Sequence, residues 1–455
     1  MPSSIRKALD ELPTTLDEIY QRALQWIPKE KRQHAHRLFQ CLAVAIRPLR
    51  VEELAELFAI EFDGDAAGPS LKEGWRPDNP EDAVLSACST LIAVIKNEGS
   101  NIVQFSHFSV KEYLTSDRLR TSDMENICHY HIPLDVAHTI LAQACLAVLL
   151  QLGETVDKKR LETFPLAFYA AQHWVDHAKY EDVASRIQDA IEQLFHPNRP
   201  YLASWTWIYH VESGQIRNTI EERPTRPEAA ALYYAALCGL SGLANHLIII
   251  HREDVNVKHG RHGTPLHAAS YKGNLDAARV LLAHGSDVDA INEDGISPLC
   301  SAYDGGHLEV MRLLLEHEAD VDVFYDRAGL LLHDAAWRGR ADVVHLLLQQ
   351  NADVDARTDD DEMPLHFASM GGEARVAQLL LEYGAAVNRL DNYGRTPLYW
   401  ASARGYVEVV QILLRHGADV HIQTYQGETP RQVAGTVEIA QLLLEHGAEK
   451  GMRII

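Results

Sequence analysis

Two histidines four residues apart, His173 and His177, would share one face of a helix, which is a spacing that zinc ligands use. Trp174 stands where a zinc protease would place its glutamate, and no third ligand lies close in sequence, so a structural role is expected for both imidazoles. The pairs His34 with His36 and His129 with His131 are two apart and would not face each other on a helix. The six cysteines, at 41, 88, 128, 145, 238 and 300, are scattered and include no CxxC pair, which points to neither a disulfide framework nor a zinc knuckle. An acyl-transfer nucleophile would be announced by GxSxG, and Gly239-Leu240-Ser241-Gly242 is out of register for it. A phosphate cradle needs GxxxxGK followed by Ser or Thr, and the dipeptide Gly-Lys occurs nowhere. The expectation is therefore a protein that is not an enzyme and uses no cofactor, metal or nucleotide.

The elements that must position these residues are set by an internal period. The motif Thr264-Pro265-Leu266-His267 returns as Ser297-Pro298-Leu299-Cys300, and its fourth position then falls on His333, His366, Tyr399 and Gln432, always 33 residues on. A 33-residue period with this motif is the ankyrin signature, and one step earlier Tyr234 marks a degenerate opening unit. Thr264 and Thr396 can cap a helix whose first turn holds Pro265 or Pro397, where a missing N–H costs nothing. Gly273, Gly306, Gly339, Gly372 and Gly405 end that helix. The second helix carries runs such as Leu313-Leu314-Leu315 and Leu346-Leu347-Leu348, a face that one unit cannot bury alone and that stacking buries. Gly285, Gly384, Gly417 and Gly447 supply left-handed caps, with Asn351 as a substitute.

The resemblance to the ankyrin family covers 228–449, and its departures carry expectations of their own. Glu318 stands at a capping-glycine position, which costs on the order of 1 to 2 kcal/mol if the left-handed backbone is kept. Leu330-Leu331-Leu332-His333 lacks both Thr and Pro, so that helix start should be the weakest. The last unit is three residues short, as suits a terminal cap. The resemblance implies that His267, His333 and His366 bond loop backbone and tie units together, rather than form a ladder of metal ligands.

In the N-terminal half, helical patterns at 29–46, 51–60 and 82–90 precede two β-branched runs, 91–95 and 102–105, joined by 96–101, and a further helix at 108–119 follows. Three helices and a wing make a winged-helix arrangement. The segments Leu12-Pro13-Thr14-Thr15-Leu16-Asp17-Glu18-Ile19-Tyr20, Arg47-Pro48-Leu49-Arg50-Val51-Glu52-Glu53-Leu54-Ala55 and Phe105-Ser106-His107-Phe108-Ser109-Val110-Lys111-Glu112-Tyr113-Leu114 resemble fungal NACHT-ankyrin proteins, NOD-like members of the STAND class. The match falls just after the NTPase module and includes the winged helix named after GPI inositol-deacylase. Tyr169-Ala170-Ala171-Gln172-His173-Trp174 and Trp205-Thr206-Trp207-Ile208-Tyr209 resemble the helical segment those proteins place before their repeats. The resemblance implies a signal-transducing architecture in which the repeats sense a ligand. With no phosphate cradle present, the expectation is a truncated or split member that binds but runs no nucleotide switch.

The expected fold class is mainly α: a winged-helix and helical N-terminal half, then a C-terminal ankyrin-repeat α-solenoid. The expected divisions are a linker helix at 1–28, a winged-helix domain at 29–120, a helical domain at 121–227, and about seven repeat units at 228–455, the first and last degenerate. Sixty-four acidic against forty-two basic residues give a net charge of -22, which repels phosphate and anionic lipid. The third helix of the winged helix opens with Glu81-Asp82 and holds no Lys or Arg through Thr90, which argues against DNA. The apolar stretch 140–152 is too short to cross a bilayer, and no secretory signal is visible at the start. A cytoplasmic address, with the nucleus open, is expected. The N-terminus and the Gly/Pro/Asp-rich 63–80 are the expected flexible segments.

A protein partner remains, and the candidate contacts are the two residues before each helix-ending glycine and the β-turn tips. These give Tyr271, Lys272, Asp304, Trp337, Arg338, Met370 and Arg404 on the groove side, with Phe324, Tyr325, Tyr393 and Tyr425 at tips. Aromatic and Arg anchors dominate interface energetics, which makes Trp337-Arg338 the strongest pair. The run Asp359-Asp360-Asp361-Glu362 favours a basic patch on the partner. The competing reading is a nucleic-acid-binding regulator that uses the winged helix.

Overall fold

The computed structural model describes residues 15–62, 69–97, 100–121, 125–153, 157–216, 227–326 and 329–447. It divides into two compact units, 1–253 with 259–261, and 254–258 with 262–455.

In the first unit, α1 (Leu16–Gln25) starts at Thr15, whose hydroxyl accepts from the Glu18 amide at 3.2 Å. Helices α2 (Arg32–Val44), α3 (Val51–Ala55) and α4 (Pro80–Cys88) follow, the last capped by Asn79 with Pro80 in its first turn. The wing is a hairpin of Ile92–Asn97 and Ser100–Phe105, antiparallel from Ile92↔Phe105 to Asn97↔Ser100. The paired strands thus extend further than the runs 91–95 and 102–105 expected. A third strand, Leu49–Arg50, pairs through Leu49↔Val103 and completes a sheet that the sequence reading missed. Two residues are too few to show a period of their own. Glu53, fully buried, holds this corner by accepting from Arg47 at 2.7 and 2.8 Å, and from the Arg50 amide and guanidinium at 2.8 and 3.0 Å. Within the stretch expected to be flexible, Ser70–Leu71 pairs with Ile60–Glu61, and 73–75 form a 3-10 turn. Residues 63–68 of that stretch lie outside the described residues.

Phe108–Leu114 forms α5, shorter than expected because the chain turns at Thr115 before a separate helix, Asp117–Arg120. The hub of the first unit is α6 (Leu134–Gln151), flanked by α2, by α7 (Ala167–Ala178) and by α8 (Gln188–Phe195). At 18 residues and a mean hydropathy of 1.5 it is long and apolar enough to cross a membrane by composition, longer than the run read from sequence. Its side chains are instead covered by helices, Leu141, Cys145 and Leu149 among them. Trp174 on α7 meets Trp205 edge-on at 5.4 Å, and the Trp205 indole donates to the Ala171 carbonyl at 2.8 Å. Trp205 lies on α9 (Tyr201–Ile208), and its ring also reaches Tyr234 at 6.4 Å. Tyr234 belongs to α10 (Ala231–Cys238), which pairs with α11 (Ser241–Ile249). This degenerate opening pair therefore packs with the first unit, and the compact boundary falls one repeat later than 227/228.

Among the described residues, the second unit holds five helix pairs and a final helix. They are α12/α13 (Pro265–Lys272, Leu275–Ala283), α14/α15 (Pro298–Gly305, Leu308–Glu316), α16/α17 (Leu331–Trp337, Ala341–Gln349), α18/α19 (Pro364–Gly371, Ala374–Glu382), α20/α21 (Pro397–Arg404, Val407–Arg415) and α22 (Val437–Glu445). We number these repeats one to six. Thr264, Ser297 and Thr396 cap their helices through the amides of His267, Cys300 and Tyr399. Repeat three starts at Leu330 with no side-chain cap and follows a short hairpin of Phe324–Asp326 with Gly329–Leu330. In repeat six, 430–433 make only turns, as the three missing residues imply. Leu281, Leu314, Leu347, Leu380 and Leu413 are completely buried between the pairs, each worth about 1.5–3 kcal/mol of burial.

Two backbone devices join the repeats. His267, His333 and His366 donate through Nε2 to the carbonyls of Ile296, Ala356 and Arg395 at 2.9, 3.0 and 3.2 Å. Along the loop edge, a side chain from each repeat's loop accepts from an amide of the next. Asn256 takes Asp287, Asp289 takes Asp320, Asp322 takes Asp353, Asp355 takes Ala386 and Asn388 takes Asp419, at 2.8–3.2 Å.

Candidate protein-interaction surface

The residues before the helix-ending glycines fall on the ends of the inner helices. Tyr271 is 36% exposed and stacks on His262 with centroids 4.3 Å apart, while the Lys272 ammonium lies 5.5 Å over its ring. Asp304 and Arg404 are exposed. Trp337 is 41% exposed and meets Phe367 edge-on at 6.5 Å. Arg338 beside it pairs with Asp334 at 2.7 Å, and Asp334 also accepts from the Tyr303 hydroxyl at 2.5 Å. This chain of bonds holds the Arg338 guanidinium in place, a pre-ordered anchor one residue from Trp337.

Met370 is a correction, because it is only 7% exposed. Its neighbour Gly371 is so close to the previous inner helix that an added Cβ would lie 2.7 Å from the Trp337 carbonyl oxygen. In that crowded step the flexible thioether lies down into the stack, where a rigid indole or phenol at the equivalent position stands out.

At the loop tips, Tyr393 and Tyr425 are 56% and 75% exposed. The Tyr425 amide donates to the Tyr393 carbonyl at 3.2 Å, and its ring lies against Gly394, where any side chain would collide. For Phe324 and Tyr325 the backbone forms a strand, but their side chains lie outside the described residues. Asp359 and Asp360 are exposed, and Asp361 and Glu362 half-buried. Burial pushes the Glu362 carboxyl up, as does Asp391, against the pull of Arg395.

Three groups central to this face were missed from the sequence. Phe367 and Trp400 follow the fourth motif residue, where repeats one and two have Ala268 and Ser301. Arg395 lies between rings, 4.3 Å over Tyr393 and 4.1 Å over Trp400, and its Nε donates to Asp391 at 2.7 Å. Asp391 also accepts from the Trp400 indole at 3.2 Å. An aromatic at a small-residue position was the available signal. The structure thus gathers Trp337 with Phe367, and Tyr393 with Arg395, Trp400 and Tyr425, while Tyr271 and Lys272 form a separate group on repeat one.

The histidines read for metal chemistry are engaged elsewhere. His177, fully buried, shares a hydrogen bond with His138 at 2.9 Å on Nδ1 and one with the Tyr169 hydroxyl at 2.9 Å on Nε2. His173 pairs with Asp176 at 3.1 Å. Burial, and then His138, hold His177 down to about 3. The relay to His138 had no signal in sequence, since 39 residues separate the two.

A stack of helix pairs with an exposed aromatic and arginine face defines a repeat-array interaction domain, and the first unit contains a winged-helix fold. Known families agree. Residues 232–325 and 332–424 match ankyrin repeats (3 copies), and 23–125 match the GPI inositol-deacylase, winged helix domain. The chain carries both domains, and its ankyrin repeats mark it as a protein with a protein–protein interaction domain. It is 30% identical over 290 residues to the "Azaphilone pigments biosynthesis cluster protein L" of Monascus ruber, a match that covers 60% of this chain and 60% of that relative. The chain therefore spans less than two thirds of that curated relative's length. Among solved structures it is similar to the human ASB11 ankyrin repeat domain, at 26% identity and a TM-score of 0.43, over 49% of this chain and all of that one. It is also similar to the ankyrin repeat domain of Bcl-3, at 27% identity and a TM-score of 0.44, over 47% and 97%.

Proposed function

We propose that this protein is a non-enzymatic intracellular adaptor or sensor whose repeats hold another protein, in signalling or non-self recognition. The observation that carries the reading is Trp337, two-fifths exposed in the middle of the array, braced by Phe367 and flanked by an Arg338 that Asp334 fixes. Such rigid, amphipathic anchors concentrate binding energy at low entropic cost. The acidic loop at 359–362 suits a partner with a basic patch and speeds encounter at low salt. The lineage reading, a NACHT-ankyrin protein that senses with its repeats, rests on sequence resemblance and sets the signalling context. A cytoplasmic setting, with the nucleus also open, accompanies it, as does recognition of protein in preference to nucleic acid, membrane or nucleotide.

The test is affinity capture from the source organism with the full chain, then titration of the recovered partner against Trp337→Ala with Arg338→Ala. A loss of about 2 kcal/mol or more, roughly thirtyfold in affinity, is the expected result. Unchanged affinity overturns the assignment of this face. The nucleic-acid alternative is checked by a mobility shift with duplex DNA over a salt series; α4, whose first turn holds Glu81 and Asp82, predicts no shift.

A further inference from the structure

We propose that a second copy of this chain docks on α1, with Trp26 of each copy entering a cavity of the other. Helix α1 buries Tyr20, Ala23 and Leu24 within its own unit. Leu16, Ile19 and Trp26 follow one another along a different flank and are all exposed, the indole at 76%. Large apolar side chains gathered on one exposed face mark a surface that a partner covers. Beside Leu16, a cavity of about 430 Å³ opens between α1 and α5. Leu16 and Tyr20 form its apolar wall, and Asp17, Ser109, Glu112 and Arg118 its polar one.

Knob and hole carry opposite charge. Close to Trp26 in the chain, Arg22 and Lys29 are exposed and Lys31 is half-buried, against one acid, Glu30. At the cavity, Arg118 pairs with Asp17 at 3.0 Å, and the charge that remains is the exposed Glu112 carboxylate. An indole N–H is a donor only, and the Asp17 and Glu112 carboxylates are acceptors. Trp26 forms no wall of its own copy's cavity, because it stands more than a turn beyond Tyr20, where the walls end on α1. A two-fold axis satisfies both features at once. Antiparallel α1 helices bring each Trp26 to the Leu16 of the other copy, with Ile19 closing the space between. The first turn of α1 holds Asp17 and Glu18 and its last turn Arg22, so the same pairing sets acidic ends against basic ones. An anionic bilayer could also take a tryptophan flanked by cations, but it would leave the cavity unused.

Sedimentation velocity of the full chain over a concentration series at low salt tests this. The weight-average mass should rise from one copy toward two, and added salt should weaken the association. Trp26→Ala should weaken it by about thirtyfold or more, the loss expected of an aromatic anchor. Glu112→Lys should weaken it as well, and adding Lys29→Glu to that variant should recover it by restoring opposite charges. Trp75→Ala, at an exposed tryptophan outside α1, should change nothing. All of these side chains are exposed, so their replacement spares the fold, and the series on the unsubstituted chain stands by itself where a variant fails. A chain that stays monomeric throughout overturns the proposal, including one that instead sediments with phosphatidylserine vesicles. A dimer that survives Trp26→Ala overturns it too, and a monomer that pairs only once residues 1–14 are removed assigns the cavity to that segment instead.

Discussion

His366 donates through Nε2 to the carbonyl of Arg395, 29 residues further on, and so must stay neutral on Nδ1 to sit where it does. The Nδ1 atom accepts from the Met363 amide at 3.1 Å, which closes the start of its own helix. One ring thus serves a helix cap and a tie between repeats.

Acid should loosen the array through these rings. Burial holds both His267 and His366 down to about 4, against 6.5 for a free imidazole. Above pH 6.5 neither state takes up the proton and the native stability is complete. As pH falls from 6.5 toward 4 the unfolded chain binds protons that the folded one refuses, so each ring costs up to about 1.4 kcal/mol per pH unit. Urea midpoints measured between pH 7.5 and 4.5 should fall steeply below 6.5, and His366→Asn should flatten the curve.

Glu318 adopts φ +66 at the end of α15, where repeats one, four and five have Gly285, Gly384 and Gly417. Glu318→Gly removes the strain of a Cβ in the left-handed region and should stabilise by about 1 kcal/mol. Thermal unfolding decides this; a drop in midpoint would mean that the carboxylate does more than occupy the turn.

Gly371→Ala should destabilise by about 1–3 kcal/mol even though φ there is unremarkable, because the new methyl meets the Trp337 carbonyl oxygen. Gly242→Ala on α11, where a Cβ meets nothing within 4 Å, is the control, and it should gain up to about 1 kcal/mol from helix propensity. Equal effects at both sites, seen by chemical denaturation, would remove the steric account.

Much of this was legible in the letters, because repeats write the same physics several times over. The caps at Thr264 and Thr396, the left-handed glycines and the uncapped start at Leu330 all follow from one unit read against the others, while the histidine ties followed from the resemblance to ankyrin repeats. The three helices and hairpin of the winged helix were legible too, since their periods switch from helix to strand. What escaped depends on meetings between distant residues. Leu49–Arg50 becomes a strand only because Val103 comes to lie beside it, and His138 finds His177 only once α6 packs on α7. Phe367 and Trp400 were visible as aromatics in small-residue positions, but the Arg395 between Tyr393 and Trp400 needed coordinates. Met370 failed because sequence position fixes which face a residue starts from, and not how far a flexible side chain folds back.

The row of Asp and Asn side chains that reach from each loop to the next has a genealogical consequence. Giver and taker recur at the same place in every repeat, so a whole repeat can be lost or copied during recombination and the two cut edges will still fit. A deletion one residue off that length would strand an amide at the joint it crosses, while the later pairs, each 31 residues apart, would keep their mates. The array's length is thus free to drift over generations while its joints are held constant.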